Sequence, residues 1–497
     1  MKQSLFLLVA AILSACSFSK NDTEVMNTPP TEPYRPFYHF TPPAAWMNDP
    51  NGMVWFDGEY HLFYQHYPDS TVWGPMHWGH AVSKDMIHWE HLPIALYPDS
   101  LGYIFSGSAV VDHRNTSGFG TKESPAMVAI YTYHDMDAEK QGKTGYQTQG
   151  IAWSTDRGRT WNKYEGNPVL TSPAIKDFRD PKVMWHEPSG KWIMALAVGD
   201  HIEFYASPDL KKWSKQSEIG QTFGAHGGVW ECPDLFALKD AKGKEHWVLL
   251  VSINPGGPQG GSATQYFIGS FDGSKFTPYD TEIRWIDFGA DNYAGVTWSD
   301  IPSSDGRRLF LGWMSNWQYS QVVPTTTWRS AMTVPREVKL LERAGYYELQ
   351  FIPVEELNGI TKELRSFDGE AVLKAMSARI SFKATSTEPF RFILSNDSSK
   401  QAILKWDGAT LTFDRTTAGR SDFNDHFAAV HAADVQGVDL RDVTIFLDQA
   451  SVEVFINNGE RVLTEIVFPT QPYTNVKLEK KVPSFSVAPI PNLFSKP

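Results

Sequence analysis

Short apolar runs rich in β-branched and aromatic residues recur along most of the chain: His61–Gln65, Met127–Tyr133, Lys191–Val198, His246–Ile253 and Leu309–Met314. Helical periodicity is nearly absent after the amino-terminal segment, so these runs read as strands. A degenerate repeat lies between them. Ser83-Lys84-Asp85 leads to Trp89, Ser154-Thr155-Asp156 to Trp161, Ser207-Pro208-Asp209 to Trp213, and Ser270-Phe271-Asp272 to Phe276. Each is a polar turn between two strands, closed by an aromatic that can pack between sheets. Intervals of roughly 50–70 residues fit one four-stranded sheet per unit, which predicts a β-propeller of five blades. In a propeller the first strand of each blade lines the central channel. Asp49, the Ser106–Asp112 stretch, Asp180, Glu231 and Asp291 fall near the start of five successive units, so the repeat would converge them on one axial pocket.

After Pro353 the pattern changes. Residues 354–369 read as a linker with a short helix. Beyond them, apolar and polar residues alternate at Ala378–Lys383, Arg391–Leu394, Val443–Leu447 and Val452–Ile456, with Asn457-Asn458-Gly459 as a turn. The expectation is an all-β protein, a propeller over 34–353 followed by a carboxy-terminal β-sandwich over 370–497.

A chain of 497 residues suits two domains. Its net charge of −12 argues against nucleic acid, because nothing would neutralise phosphates. The 18 tryptophans suit stacking on sugar rings as well as core packing. Two cysteines exclude a disulfide framework. Cys16 ends a short apolar run, Leu5–Leu13 followed by Ser14 and Ala15, which reads as a lipoprotein signal over 1–15. The lipid would sit on Cys16, and 16–33, polar and rich in Pro and Thr, would tether the protein to a membrane. No acidic cluster follows Cys16, which leaves the membrane face open. Cys232 reads as an unreactive packing thiol.

Three acidic motifs carry the chemistry: Trp46-Met47-Asn48-Asp49-Pro50-Asn51-Gly52, Phe178-Arg179-Asp180-Pro181 and Glu231-Cys232-Pro233-Asp234. Paired carboxylates in different surroundings are what cleavage of a glycosidic bond requires. Asn48-Asp49-Pro50 is equally a turn sequence, and Arg179 beside Asp180 could be a local ion pair. Side chains of adjacent strand residues point to opposite faces, however, so that pair is not guaranteed. His77, His80, His88 and His91 cluster in sequence, but no Cys or acidic grouping completes a metal set, and no metal or cofactor is expected.

With Phe63-Tyr64-Gln65, Trp73–His80, Phe105–Ser108, Gly312–Trp317 and Asp448–Gly459 added, the chain resembles glycoside hydrolase family 32, the β-fructosidases. The resemblance implies a five-bladed propeller with a β-sandwich. It implies Asp49 as nucleophile, Glu231 as acid/base, and Asp180 as the group that binds fructose hydroxyls and stabilises an oxocarbenium-like transition state. A retaining mechanism would set Asp49 and Glu231 about 5–5.5 Å apart. By the same match, Asn48, Gln65, Trp73, Phe105, Ser106, Arg179 and Trp313 would line the fructose subsite. Asp291 and Tyr293 are weaker candidates, while Trp78 and Trp89 are assigned to packing. The implied activity is release of terminal fructose from levan or inulin, and from sucrose as well. An endo-acting levanase, an inverting propeller glycosidase and a fructan-binding lipoprotein without catalysis are the alternatives.

Overall fold

The structure, a computed structural model, describes residues 32–494. Cys16, with the leader 1–15 and most of the 16–33 tether, lies outside the described residues. Five antiparallel sheets follow one another in sequence. Their innermost strands are Ala45–Phe56, Tyr103–Asp112, Phe178–His186, Val229–Lys239 and Tyr293–Thr297. The next strands outward are Glu59–Tyr67, Ala126–His134, Lys191–Val198, Glu245–Asn254 and Leu309–Met314. These contain the five apolar runs read from the sequence. Each lies mid-sheet with blades packed on both faces, so nearly every residue is buried and the run stays apolar throughout.

The repeated turns join the third and fourth strands of the first four blades. In each, the aspartate carboxylate accepts backbone N–H groups that follow it, such as Ile87 and His88 on Asp85, or Lys211 and Lys212 on Asp209. Trp89, Trp161 and Trp213 then donate their indole N–H to the carbonyl three residues earlier. The fifth blade lacks this turn. Instead, the loop after Leu309–Met314 runs back so that Trp328–Arg329 pairs in parallel with Ala45–Trp46, which ties the fifth blade to the first.

Two six-stranded sheets form the sandwich around a common apolar core. Its first strand, Arg365–Asp368, pairs with Ser484–Pro489 and falls inside the expected 354–369 linker. Only a short 3-10 turn, Glu355–Asn358, separates the propeller's last strand from that region. Asn457, Asn458 and Gly459 all take positive φ (50°, 59° and 96°) and turn Ser451–Ile456 into Arg461–Ile466. The same turn abuts the propeller, where Phe351 donates its backbone N–H to the Gly459 carbonyl at 3.0 Å.

Charged groups also cross the domain interface, beside apolar contacts such as Met314 and Val323 with Ile466 and Phe468. Asp448 accepts the backbone N–H groups of Phe37, Tyr38 and His39, and the His39 ring bridges Asp448 and Glu453 at 2.8 Å each. Burial alone would lower the His39 pKa, but its hydrogen bonds to these two carboxylates and their charges raise it to about 9. Arg336 spans Asp287 on the propeller side and Glu453 on the sandwich side. Every one of these groups is buried, so each needs its partners.

Candidate active site

All five innermost strands break register near their first residues: at Met47/Pro50, Ile104/Gly107, Arg179/Lys182, Glu231/Asp234 and Tyr293/Val296. An extra residue in one strand bends it and re-aims side chains. In three blades the irregular residue sits in the left-handed region: Asp180 at φ 62°, Cys232 at 45° and Ala294 at 53°. The strict alternation expected for Arg179 and Asp180 therefore fails. Both side chains enter the axial pocket, with Arg179 Nε 3.9 Å from Asp180 Oδ2.

The three carboxylates stand in different company. Asp49 Oδ1 accepts from Asn48 Nδ2 at 2.9 Å, and Oδ2 accepts from Ser106 Oγ at 2.7 Å. Asn48 is itself oriented by the Trp46 indole, which donates to its Oδ1 at 2.7 Å. Burial and the nearby Glu231 charge push the Asp49 pKa upward, while the Ser106 and Asn48 bonds favour the carboxylate. Glu231 Oε1 accepts from Arg179 Nη2 at 2.9 Å and Nε at 3.3 Å, and its Oε2 accepts from the Tyr293 hydroxyl. Arg179 is anchored from behind by Asp177 at 2.7 Å.

Asp180 accepts the Cys232 backbone N–H at 3.0 Å, and its own N–H donates to Thr132 Oγ1 at 3.0 Å. Burial raises its pKa to about 7; Arg179 opposes the rise, and the Glu231 and Asp49 charges add to it. The Cys232 sulfur lies 3.6 Å from both Asp49 Oδ2 and Asp180 Oδ2, so one thiol touches two of the three acids. Burial and these carboxylates hold the thiol well above its ordinary range. The thiol therefore stays protonated, and it is more than packing. Its N–H and sulfur help hold the acids in place, a role hidden in sequence because it depends on the bulge.

Around the carboxylates, Phe105 stacks on His134 at 4.2 Å, and its carbonyl accepts the Trp78 indole at 3.0 Å. Trp73 is half-buried, edge-on to Phe105 at 6.0 Å. Trp313 is fully buried against Trp46, Trp317 and Tyr293. Gln65 Nε2 and Trp313 Nε1 are buried donors with no partner among the described residues. Buried donors are rarely left unpaired, which suits groups kept for a hydroxyl-rich ligand.

Asp291 is not part of this pocket. It faces the sandwich, where it accepts from Arg415 Nη1 and the Tyr319 hydroxyl at 2.6 Å each and from Ile466 N–H at 2.9 Å. It precedes its strand by two residues, outside the bulge that turns Tyr293 inward. The four histidines also disperse: His77 bonds the Pro75 carbonyl, His80 pairs with His61, His88 with Asp85, and His91 packs on Phe40.

Carboxylates in unlike surroundings, brought together at the propeller axis, are what cleavage of a glycosidic bond requires, which is the chemistry of a glycoside hydrolase. The chain belongs to family 32: the family's N-terminal domain matches residues 39–350 and its C-terminal domain residues 353–489. It is 46% identical over 490 residues to the levanase of Bacillus subtilis, covering 93% of this chain and 71% of that protein. It is 37% identical to the extracellular exo-inulinase of Aspergillus awamori, over 90% of this chain and 92% of that one. The crystal structure of exo-inulinase from Aspergillus awamori superposes with a TM-score of 0.85 at 34% identity, covering 93% of this chain and 99% of that chain. The β-fructofuranosidase of Schwanniomyces occidentalis, complexed with fructosyl-erythritol, gives 0.80 at 32%, covering 92% of this chain and 98% of that chain.

Proposed function

We propose that the protein is a retaining, exo-acting fructan hydrolase that removes terminal fructose from levan or inulin, and also cleaves sucrose. Asp49 is the nucleophile. Its two oxygens are fixed by Asn48 and Ser106, so the rotamer needed for attack on the anomeric carbon is held before substrate arrives. Attack would form a fructosyl–Asp49 ester as the C2–O bond breaks, and Glu231 would pass a proton to the departing oxygen. Glu231 would then take a proton from the water that releases fructose with retained configuration. Arg179 and Tyr293 position the Glu231 carboxyl. Asp180 binds the fructose hydroxyls.

The single observation that carries this reading is the convergence of Asp49, Asp180 and Glu231, from three blades, on one cluster bridged by Cys232 and Arg179. The exo mode draws on the likeness to exo-inulinases. Extracellular relatives support export, and the leader and Cys16 carry the reading of a lipid anchor. A time course of products from levan and inulin tests the mode: free fructose alone from the outset is expected. A ladder of oligosaccharides would instead mean endo action.

A further inference from the structure

At the opposite end of the propeller axis the inner strands open onto a second cavity, of about 540 Å³. Glu231 and Phe236 lie on the same inner strand, so roughly 15 Å of extended chain separates this cavity from the catalytic carboxylates. His113, Arg114, Glu187 and Glu245 line its solvent-facing mouth. The volume falls within the range of small-molecule sites.

Most charges along its wall are already committed. Lys182 Nζ donates to the Thr297 carbonyl at 2.6 Å and lies 3.3 Å from Asp234. Arg114 pairs with Glu187 at 2.6 Å. Two groups are not. Arg308 makes one long bond, 3.4 Å from Nη1 to the Trp298 carbonyl, and its buried Nε has no hydrogen-bond partner among the described residues. Its guanidinium stands 5.1 Å over the Phe236 ring. Asp300 fixes one oxygen on the Val111 N–H at 2.9 Å, and its other oxygen reaches only to His113 at 3.9 Å.

Spare donors and spare acceptors thus face one space, beside the half-buried indoles of Trp185 and Trp247. A small anion entering it would meet Asp300 and Glu245, and a cation would meet Arg308. A neutral polyhydroxyl ligand uses both signs at once and lays its apolar faces on the aromatic walls. We propose that this cavity is a second, non-catalytic carbohydrate site that holds a stretch of fructan chain on the face of the propeller away from the active site. The proposal rests on the fructan-hydrolase reading, since the active site fixes which polyhydroxyl polymer the protein meets. A second holding point lowers escape from a polymer without new catalytic contacts.

The test is calorimetric titration of the full chain carrying Glu231→Gln, which stops turnover, with short levan oligosaccharides. Two sites per chain are expected. One site remains when Ala237→Trp, which plugs the cavity from its wall, or Arg308→Gln is added. Both additions should leave sucrose turnover of the otherwise intact enzyme unchanged, which reports a preserved fold and active site. A single site with the cavity intact, or two sites with it plugged, would overturn the proposal. Intact protein that releases no fructose from levan would sink the fructan-hydrolase reading instead, so the two failures are separable.

Discussion

Asp180 offers the sharpest test, because its environment sets function against stability. Its carboxyl is buried, shares one arginine with Glu231, and has a pKa raised from 3.8 to about 7. A group with a raised folded-state pKa costs stability when ionised. The cost is absent below pH 3.8, grows as pH rises, and is complete above the folded value. At 1.36 kcal/mol per unit, the penalty is about 1.5 kcal/mol at pH 5 and about 4 kcal/mol at pH 8. Asp180→Asn removes the charge and keeps an oxygen to accept the Cys232 N–H. Arg179 retains Glu231 and Asp177 as partners. The variant should therefore be more stable than the parent, by an amount that grows from pH 5 to pH 8. Its kcat/KM on sucrose should fall by about 10²–10³-fold, the usual loss when a transition-state contact is removed. Urea unfolding at the two pH values, beside sucrose turnover, measures both. A stability difference that does not change with pH, or an Asn variant less stable at pH 8, would refute the reasoning.

Tyr293→Phe deletes one hydrogen bond to Glu231 and nothing from the wall of the pocket. Such bonds to charged groups contribute about 1.5–3 kcal/mol, so kcat should drop about 10–100-fold with KM little changed; steady-state kinetics on sucrose would show a KM effect instead if Tyr293 mainly bound substrate. Arg415→Met leaves Asp291 and Glu465 buried without their cation. It should cost about 3–5 kcal/mol in urea unfolding while the ratio of levan to sucrose activity stays the same; a changed ratio would put Asp291 back among the substrate-binding groups.

The blades were legible because their second strands are buried on both faces and must stay apolar from end to end. The turns were legible because an aspartate that caps the N–H groups after it stands only four or five residues before the aromatic that closes the turn. The loop joining the fifth blade to the first carries neither signal, since its short parallel pairing with Ala45–Trp46 depends on the ring being closed. At the site, motif and blade start located Asp49, Ser106, Asp180 and Glu231, but not how they face one another. Regular alternation would send Arg179 and Asp180 to opposite sides, and would give Cys232 no part in the pocket. A bulge at the same level of every inner strand overrides that pattern and turns neighbouring residues inward together. Asp291 shows the limit from the other side. It shares the spacing of the other acids, yet it lies just ahead of its bulge, and the sandwich supplies Arg415 to meet it. Among the acids of the inner strands, what decides entry to the pocket is therefore position relative to the bulge, a backbone feature that residue spacing alone does not encode.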